Sequence, residues 1–163
     1  MEEIKMNVYE SRELIENMLN VKGFNVKILK KSASWTTTKY LNLEFGNVKP
    51  GFSEKDIELY NNGLRGVSEY CDKRILKLPS ECSDPEIYAQ YASKLIKELR
   101  GVISIPYLRE HYTNIAKKTF SYKLNSNIGA NGKPVKFSEK DIIEINEGIR
   151  KMSIIFQSIT LTL

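Results

Sequence analysis

Lysine side chains dominate the residues of this sequence that could do chemistry. The chain has 163 residues, with 25 Lys or Arg against 20 Asp or Glu and a formal net charge of +5. Of the 25 bases 19 are lysine, whose mobile point charge suits phosphate, whereas arginine gives the bidentate geometry that reads base edges. Any binding of nucleic acid is therefore expected to be largely independent of base sequence.

The excess positive charge lies in two segments. Residues 24–52 hold five lysines and one glutamate, and residues 115–136 hold five lysines and no acid. A surface built from both segments would attract polyanions and bind them in a salt-sensitive way. Alternatively, the lysines protect strand edges from aggregation. The predicted nucleic-acid-binding residues are these lysines and one aromatic residue that could stack on a base: Lys27, Lys30, Lys31, Lys39, Tyr40, Lys49, Lys117, Lys118, Lys123, Lys133 and Lys136.

Other site chemistries find little support. His111 is the only histidine, and Cys71 and Cys82 are the only cysteines and form no C-x-x-C pair, so one chain supplies no four-ligand zinc site. The stretch from Gly129 to Pro134 lacks the spacing of a phosphate-binding loop and is typical of a turn. We predict no catalytic residue, no metal site and no cofactor.

Carboxylates are the remaining candidates, because a metal-dependent nuclease needs only a few of them on adjacent elements. Glu54, Asp56, Glu139 and Asp141 would be its residues. Their positions are already explained, since Asp56 and Asp141 each follow a serine by three residues, as in a capping box at a helix start. A small nuclease is therefore the third hypothesis.

An internal repeat organises the chain. Phe52 to Ser68 and Phe137 to Ser153 are identical at 10 of 17 positions, with a constant offset of 85 residues. Each copy is interpreted as a strand, a Gly- and Asn-rich turn and a helix. Alternating apolar residues predict the two strands, near residues 35–45 and 119–125. Gly63 and Gly148 fall within the two helices, where close packing or early helix termination would explain them.

Further elements surround the repeats. We predict a helix near residues 10–20, a strand at 24–29, a helix that Asp84 and Pro85 start and Gly101 stops, and a short helix at 107–115. The apolar C-terminus, from residue 154, is expected to continue as helix and then strand.

The predicted fold is an α+β duplication of a strand-turn-helix unit, at about 28–78 and 115–163, with N-terminal and central helices added. Residues 1–163 would form one compact domain, with a first unit at 24–78, a helical connector at 79–114 and a second unit at 115–163. No apolar run is long enough to span a bilayer and acids follow Met1, so we expect a cytoplasmic protein.

The leading functional hypothesis is a non-catalytic protein whose lysine-rich face engages nucleic acid or a nucleoprotein. The Lys-, Ile- and Asn-rich composition also resembles small accessory proteins of phages and mobile elements in low-GC bacteria, among them anti-CRISPR-like inhibitors of host defence nucleases. That resemblance implies a viral inhibitor acting by protein-protein contact, which is the second hypothesis. Salt sensitivity separates the two hypotheses, because lysine-phosphate contacts weaken steeply with ionic strength.

Overall fold

The structure is a computed structural model, and it describes residues 2–5, 54–100 and 102–162. Five α-helices and two short strands lie in these ranges, together with a 3₁₀ turn at Pro79–Glu81. The strands are β1 (Glu2–Lys5) and β2 (Ile159–Thr162), and the helices are α1 (Glu54–Asp72), α2 (Pro85–Leu99), α3 (Ile105–Tyr112), α4 (Lys117–Leu124) and α5 (Glu139–Ser158).

The described residues are mostly helical, so the predicted α+β fold is wrong. Their strands are limited to a four-residue parallel pair, β1 with β2, in a register that runs from Glu2 opposite Ile159 to Lys5 opposite Thr162. In the described part of the repeat units, the only strand is β2 at the end of the second unit, and the strand predicted near residues 119–125 is absent. The core is instead formed where helices pack on one another.

The strand predicted near residues 119–125 is the helix α4. Phe120 and Leu124, four residues apart, are buried at 4% exposure each, whereas Tyr122 between them is 38% exposed. Apolar residues at 120, 122 and 124 satisfy the period of two of a strand, but 120 and 124 alone satisfy a helix. Burial selects the helical reading because the Phe120 and Leu124 side chains both face the core.

The other predicted elements have mixed outcomes. The helix after Asp84, the short helix before residue 113 and the C-terminal change from helix to strand are confirmed, with bounds shifted by a few residues. The predicted turn is confirmed by a positive φ of 73° at Gly132 and a bridge between Ile128 and Pro134. The predicted elements at 10–20, 24–29 and 35–45 lie outside the described residues, as does Ser53.

Two helix starts show why the sequence folds as it does there. At α5 the Ser138 amide donates to Asp141 Oδ2 at 2.7 Å, and the Asp141 amide donates to Ser138 Oγ at 3.2 Å, which completes the predicted capping box. At α2 the Asp84 carboxylate accepts from the amides of Glu86 and Ile87, and Pro85 follows as the first helical residue.

The repeated helices α1 and α5 pack against each other more extensively than any other pair of described elements. Ser68 and Ser153, which are equivalent positions of the repeat, lie with their Oγ atoms 2.8 Å apart. The Ser153 hydroxyl also donates a hydrogen bond to the Asp72 carboxylate, and the Gln157 side-chain amide donates one to the Ser68 hydroxyl. These last two contacts exchange under the offset of 85 residues, so the two helices are related by a local pseudo-two-fold axis.

Gly148 is a site of close approach between helices. A Cβ at this position would lie 2.5 Å from Leu108 Cδ1 and 2.6 Å from Tyr112 Cβ. Glycine is therefore required because α3 packs directly on the α5 backbone. Close packing therefore explains Gly148, but its partner is α3 and neither the other repeat helix nor a strand, and α1 and α5 both continue past their glycines.

A buried amide joins α5 to the chain that follows α1. Asn146 is 5% exposed, and its side chain accepts from the Leu76 amide and donates to the Leu76 carbonyl, each at 2.8 Å. This two-bond clamp satisfies backbone groups that have no regular secondary-structure partner there. It holds the segment between α1 and α2 against the repeat helices.

Candidate nucleic-acid interface

Helix α4 positions two of the predicted lysines. Phe120 and Leu124 bury one face of the helix, and the Phe120 ring meets the Phe137 ring edge-on at 5.3 Å between centroids. The Ser93 hydroxyl of α2 donates to the Leu124 carbonyl at 2.5 Å, which fixes the end of the helix. With this face anchored, the first-turn residues Lys117 and Lys118 are exposed.

The segment before α4 is also held. Glu144 on α5 accepts from the Asn114 amide at 2.8 Å and from the Asn114 side chain at 3.1 Å. These hydrogen bonds lower the pKa of the Glu144 carboxyl below its ordinary value. Arg109 of α3 donates to the Ile115 carbonyl at 3.4 Å. The helix start is therefore tied to both α3 and α5.

The charge at the start of α4 runs against the helix dipole. Ala116 precedes the helix and gives no side-chain cap, the first turn contains no acid, and it contains Lys117 and Lys118. A helix N-terminus carries partial positive charge and unpaired amide N–H groups, so bases there are unfavourable for helix stability. The same arrangement concentrates positive potential beside amide donors, which is the requirement for binding an anion.

Tyr122 is a surface residue, whereas its alternation with Phe120 and Leu124 in the strand predicted near residues 119–125 would turn it toward the core. Its ring lies 5.7 Å from the Lys118 ammonium, one helical turn away, and the side chain is 38% exposed. An exposed ring beside a cation can stack on a nucleobase while the cation meets the phosphate. Helical spacing from Lys118 would have identified it, but the strand interpretation placed it on the inward face.

Lys123 is used within the fold. Its ammonium lies 2.5 Å from Asp141 Oδ2, and the two side chains are only 15% and 12% exposed. Burial alone would raise the pKa of the Asp141 carboxyl, but hydrogen bonds from Lys123 and Ser138 outweigh burial and lower it. The pair ties α4 to the start of α5, so we assign Lys123 and Asp141 structural roles.

The remaining predicted residues fall into two groups. Lys133 is exposed in the turn and Lys136 is half-buried after it. The residues of the first unit lie outside the described residues: Lys27, Lys30, Lys31, Lys39, Tyr40 and Lys49. Within the second unit, the described structure therefore places Lys117 and Lys118 side by side and separates Lys123 from them by its ion pair.

Two open clefts lie beside α4 and meet at Asn125, which lines both. The first has a volume of about 660 Å³ and is formed by α3, α4 and the segment that follows α2. The second, of about 630 Å³, is formed by α2 and the residues that follow α4. The basic residues lining the two clefts are Arg100, Arg109 and Lys117 in the first, and Lys94 and Lys97 in the second.

In the sequence, Lys94, Lys97 and Arg100 recur every three residues, which alone indicates no more than a solvated helix face. In the structure, α4 docks against α2, so that Lys94 and Lys97 line the second cleft and Arg100, which follows α2, lines the first. No local pattern could have revealed this, because the clefts depend on contacts between residues far apart in the chain.

Within residues 54–100 and 102–162, no group of three His, Cys, Asp or Glu side chains is arranged to hold a metal ion. The Cys71 thiol is buried, and burial raises its pKa to about 12. None of the helices described has both the length and the apolar character needed to cross a membrane. The chain matches no protein-family model, no curated protein and no solved structure.

Proposed function

We propose that this protein binds nucleic acid, alone or within a nucleoprotein, through the exposed start of helix α4. The observation that carries the proposal is the pair Lys117 and Lys118 in the first turn of a helix without a side-chain cap or acid, with the exposed Tyr122 ring beside Lys118. Phosphate oxygens would meet the two ammonium groups and the amide donors, and the ring would contact a base.

Local stability does not explain this arrangement. Two lysines in a first turn oppose the helix dipole, and each such charge is worth about 0.3–1 kcal/mol in the unfavourable direction. Residues that break a local rule in this way are concentrated at functional sites. A bound phosphate would make the electrostatics of this helix end favourable, since it would bring negative charge to the positive end of the helix.

The test is a fluorescence-anisotropy titration of labelled single-stranded and duplex oligonucleotides at about 50 mM and about 200 mM salt. The wild-type protein is compared with the variant Lys117→Ala/Lys118→Ala. We expect salt-dependent binding by the wild type and at least a tenfold weaker affinity for the variant. Thermal unfolding of each protein shows whether the helix is retained.

A charge-matched control is Lys55→Ala/Lys73→Ala, which removes one exposed lysine in α1 and one exposed lysine directly after it. This variant loses the same net charge, so it should retain most of the affinity if the α4 pair makes the contact. Equal loss of affinity in both variants would show that net charge, and not the position of Lys117 and Lys118, accounts for the binding. Absence of binding by the wild type at low salt would refute the proposal.

A second candidate function is contact with a partner protein as an inhibitor or adaptor. Ile143 and Ile154 are 42% and 65% exposed, and their spacing of 11 residues places them on one face of α5. Two exposed isoleucines on one helix face are apolar surface that a partner protein could cover. This reading predicts a partner whose capture survives high salt and is lost in an Ile143→Glu/Ile154→Glu variant.

A further inference from the structure

The two clefts beside α4 adjoin at Asn125, which lines both. Lys94 and Lys97 of α2 line one cleft, and Arg100, the residue after α2, lines the other. Lys117, at the start of α4, lines the first cleft and so connects that cleft to the surface proposed above. A linear polymer that crosses Asn125 would contact both clefts, and we call the two adjoining clefts the groove and the line across them its path.

The charge of the path favours a polyanion. Five bases line it against two carboxylates, Glu98 and Glu110. Glu98 is already compensated by Arg74 outside the clefts, at 3.2 Å. In the part of the chain that the structure describes, no carboxylate pairs with Lys94, Lys97 or Lys117. Three ammonium groups are thus available along the path.

The first cleft is also suited to an apolar, flat group. Its lining includes Ile103, Phe120 and Leu124, and its volume of about 660 Å³ lies within the range of about 300–1,000 Å³ that is typical of small-ligand sites. A base can enter such a cleft only if it is unpaired. In a duplex the bases are stacked and paired, and extruding one costs a few kcal/mol.

We infer that this groove holds a single-stranded nucleic acid, with a base in the cleft formed by α3, α4 and the segment after α2, and the neighbouring phosphates on Lys94, Lys97, Arg100 and Lys117. The inference rests on the proposed function and specifies its substrate class and its residues. A free nucleotide would share the chemistry of the first cleft but would not reach Lys94 and Lys97 in the second.

The first experiment removes the charges that only this inference uses. The variant Lys94→Gln/Lys97→Gln/Arg100→Gln is titrated with a labelled single strand of about 12 nucleotides, with a duplex of the same length and with a mononucleotide as competitors. Three lost contacts should make the slope of log K against log salt shallower by about 2, since each contributes about 0.7 on single strands. The single strand should compete at least tenfold better than the duplex.

The second experiment blocks the cleft without changing charge. Ser121 is exposed and lines the first cleft, whereas Thr119 on the same helix is exposed and does not. Ser121→Trp should weaken single-strand binding at least tenfold, and Thr119→Trp should have little effect. Retained thermal unfolding temperatures in both variants would show that α4 is still docked.

The outcomes separate the two proposals. If binding is lost in Lys117→Ala/Lys118→Ala but unchanged in the α2 variant and in Ser121→Trp, the groove is refuted and the proposed function stands. A duplex that binds as tightly as the single strand refutes the assigned occupant. A mononucleotide that competes as well as the oligonucleotide refutes the extended path. No binding of any nucleic acid refutes both proposals.

Discussion

Ser68 and Ser153, equivalent residues of the two repeats, meet on the local pseudo-two-fold axis with their hydroxyl oxygens 2.8 Å apart. The hydrogen bonds on either side determine which of the two hydroxyls is the donor. Gln157 Nε2 donates to Ser68 Oγ at 2.5 Å, and Ser153 Oγ donates to Asp72 Oδ1 at 2.9 Å. Since each hydroxyl has one proton, Ser68 must donate to Ser153, and the chain runs from the amide to the carboxylate.

Asp72 and Gln157 are themselves equivalent under the offset of 85 residues. An acceptor at both ends would leave the two serine oxygens facing each other without a proton between them. Because one copy has Asp72 where the other has Gln157, each hydroxyl in the buried contact both donates and accepts a hydrogen bond. Two identical carboxylates could not provide this chain. Divergence of the repeats is part of how they pack.

The first prediction reverses this chain. Gln157→Glu should destabilise the protein by about 1 kcal/mol, because it removes the donor at one end. Asp72→Asn should change stability little, since an amide oxygen still accepts from Ser153. Combining the two places the donor at position 72 and the acceptor at 157, and the double variant should recover about 1 kcal/mol relative to additivity in urea unfolding. Simple additivity would contradict the directed chain.

The second prediction compares Gly148, where a new Cβ would contact α3, with Gly66, where it would contact no atom. Gly148→Ala should destabilise by about 1–3 kcal/mol, because the new methyl group meets Leu108 and Tyr112 at contact distances of 2.5 and 2.6 Å. Gly66→Ala is the control, since a Cβ there meets no atom within 4 Å and alanine favours the helix by about 1 kcal/mol. Opposite signs in thermal unfolding are expected, and equal effects would be inconsistent with the docking of α3 on α5.

The third prediction concerns the Lys123–Asp141 pair. Asp141→Asn should cost about 2 kcal/mol at pH 7, because it leaves the poorly exposed Lys123 ammonium without its partner charge. The pKa of Asp141 is lowered in the folded protein, so its contribution is fully present above the unfolded value of about 3.9 and is lost as pH falls through the folded value.

The difference between wild type and Asp141→Asn should therefore persist from pH 7 to 5 and shrink below about pH 4. Urea unfolding at several pH values measures it. The control is Glu139→Gln, an exposed acid in the same first turn, whose loss should be well under 1 kcal/mol. A difference in unfolding free energy that grew as the pH fell would contradict the structural role assigned to the Lys123–Asp141 pair.

Local sequence signals predicted the helix starts well. Ser138 with Asp141, and Asp84 with Pro85, are side chains that satisfy amide groups within three residues, so no long-range information is needed to place them. The repeat offset of 85 likewise identified two helices that turned out to pack together. It could not predict that Ser68 would meet Ser153, which follows only from the way the two helices pack.

The predictions that failed concern features that tertiary packing decides. Alternation at Phe120, Tyr122 and Leu124 fits a strand and a helix equally well over so short a segment, and burial of two of the three residues selected the helix. Counting lysines found Lys117 and Lys118 together with Lys123, whose ion pair forms with a residue 18 positions away. The walls of the clefts come from three separate helices and carry no signature in sequence.

The central claim, that phosphate groups bind at the α4 start and along α2, is tested most directly by the salt dependence of single-strand affinity. Four lysine contacts and one arginine contact, from Lys94, Lys97, Arg100, Lys117 and Lys118, predict a slope of log K against log salt of about −3.5 for the wild-type protein. Removal of the Lys117 and Lys118 side chains should bring it to about −2. Tight binding with a slope near zero, or no binding at about 50 mM salt, would contradict the account.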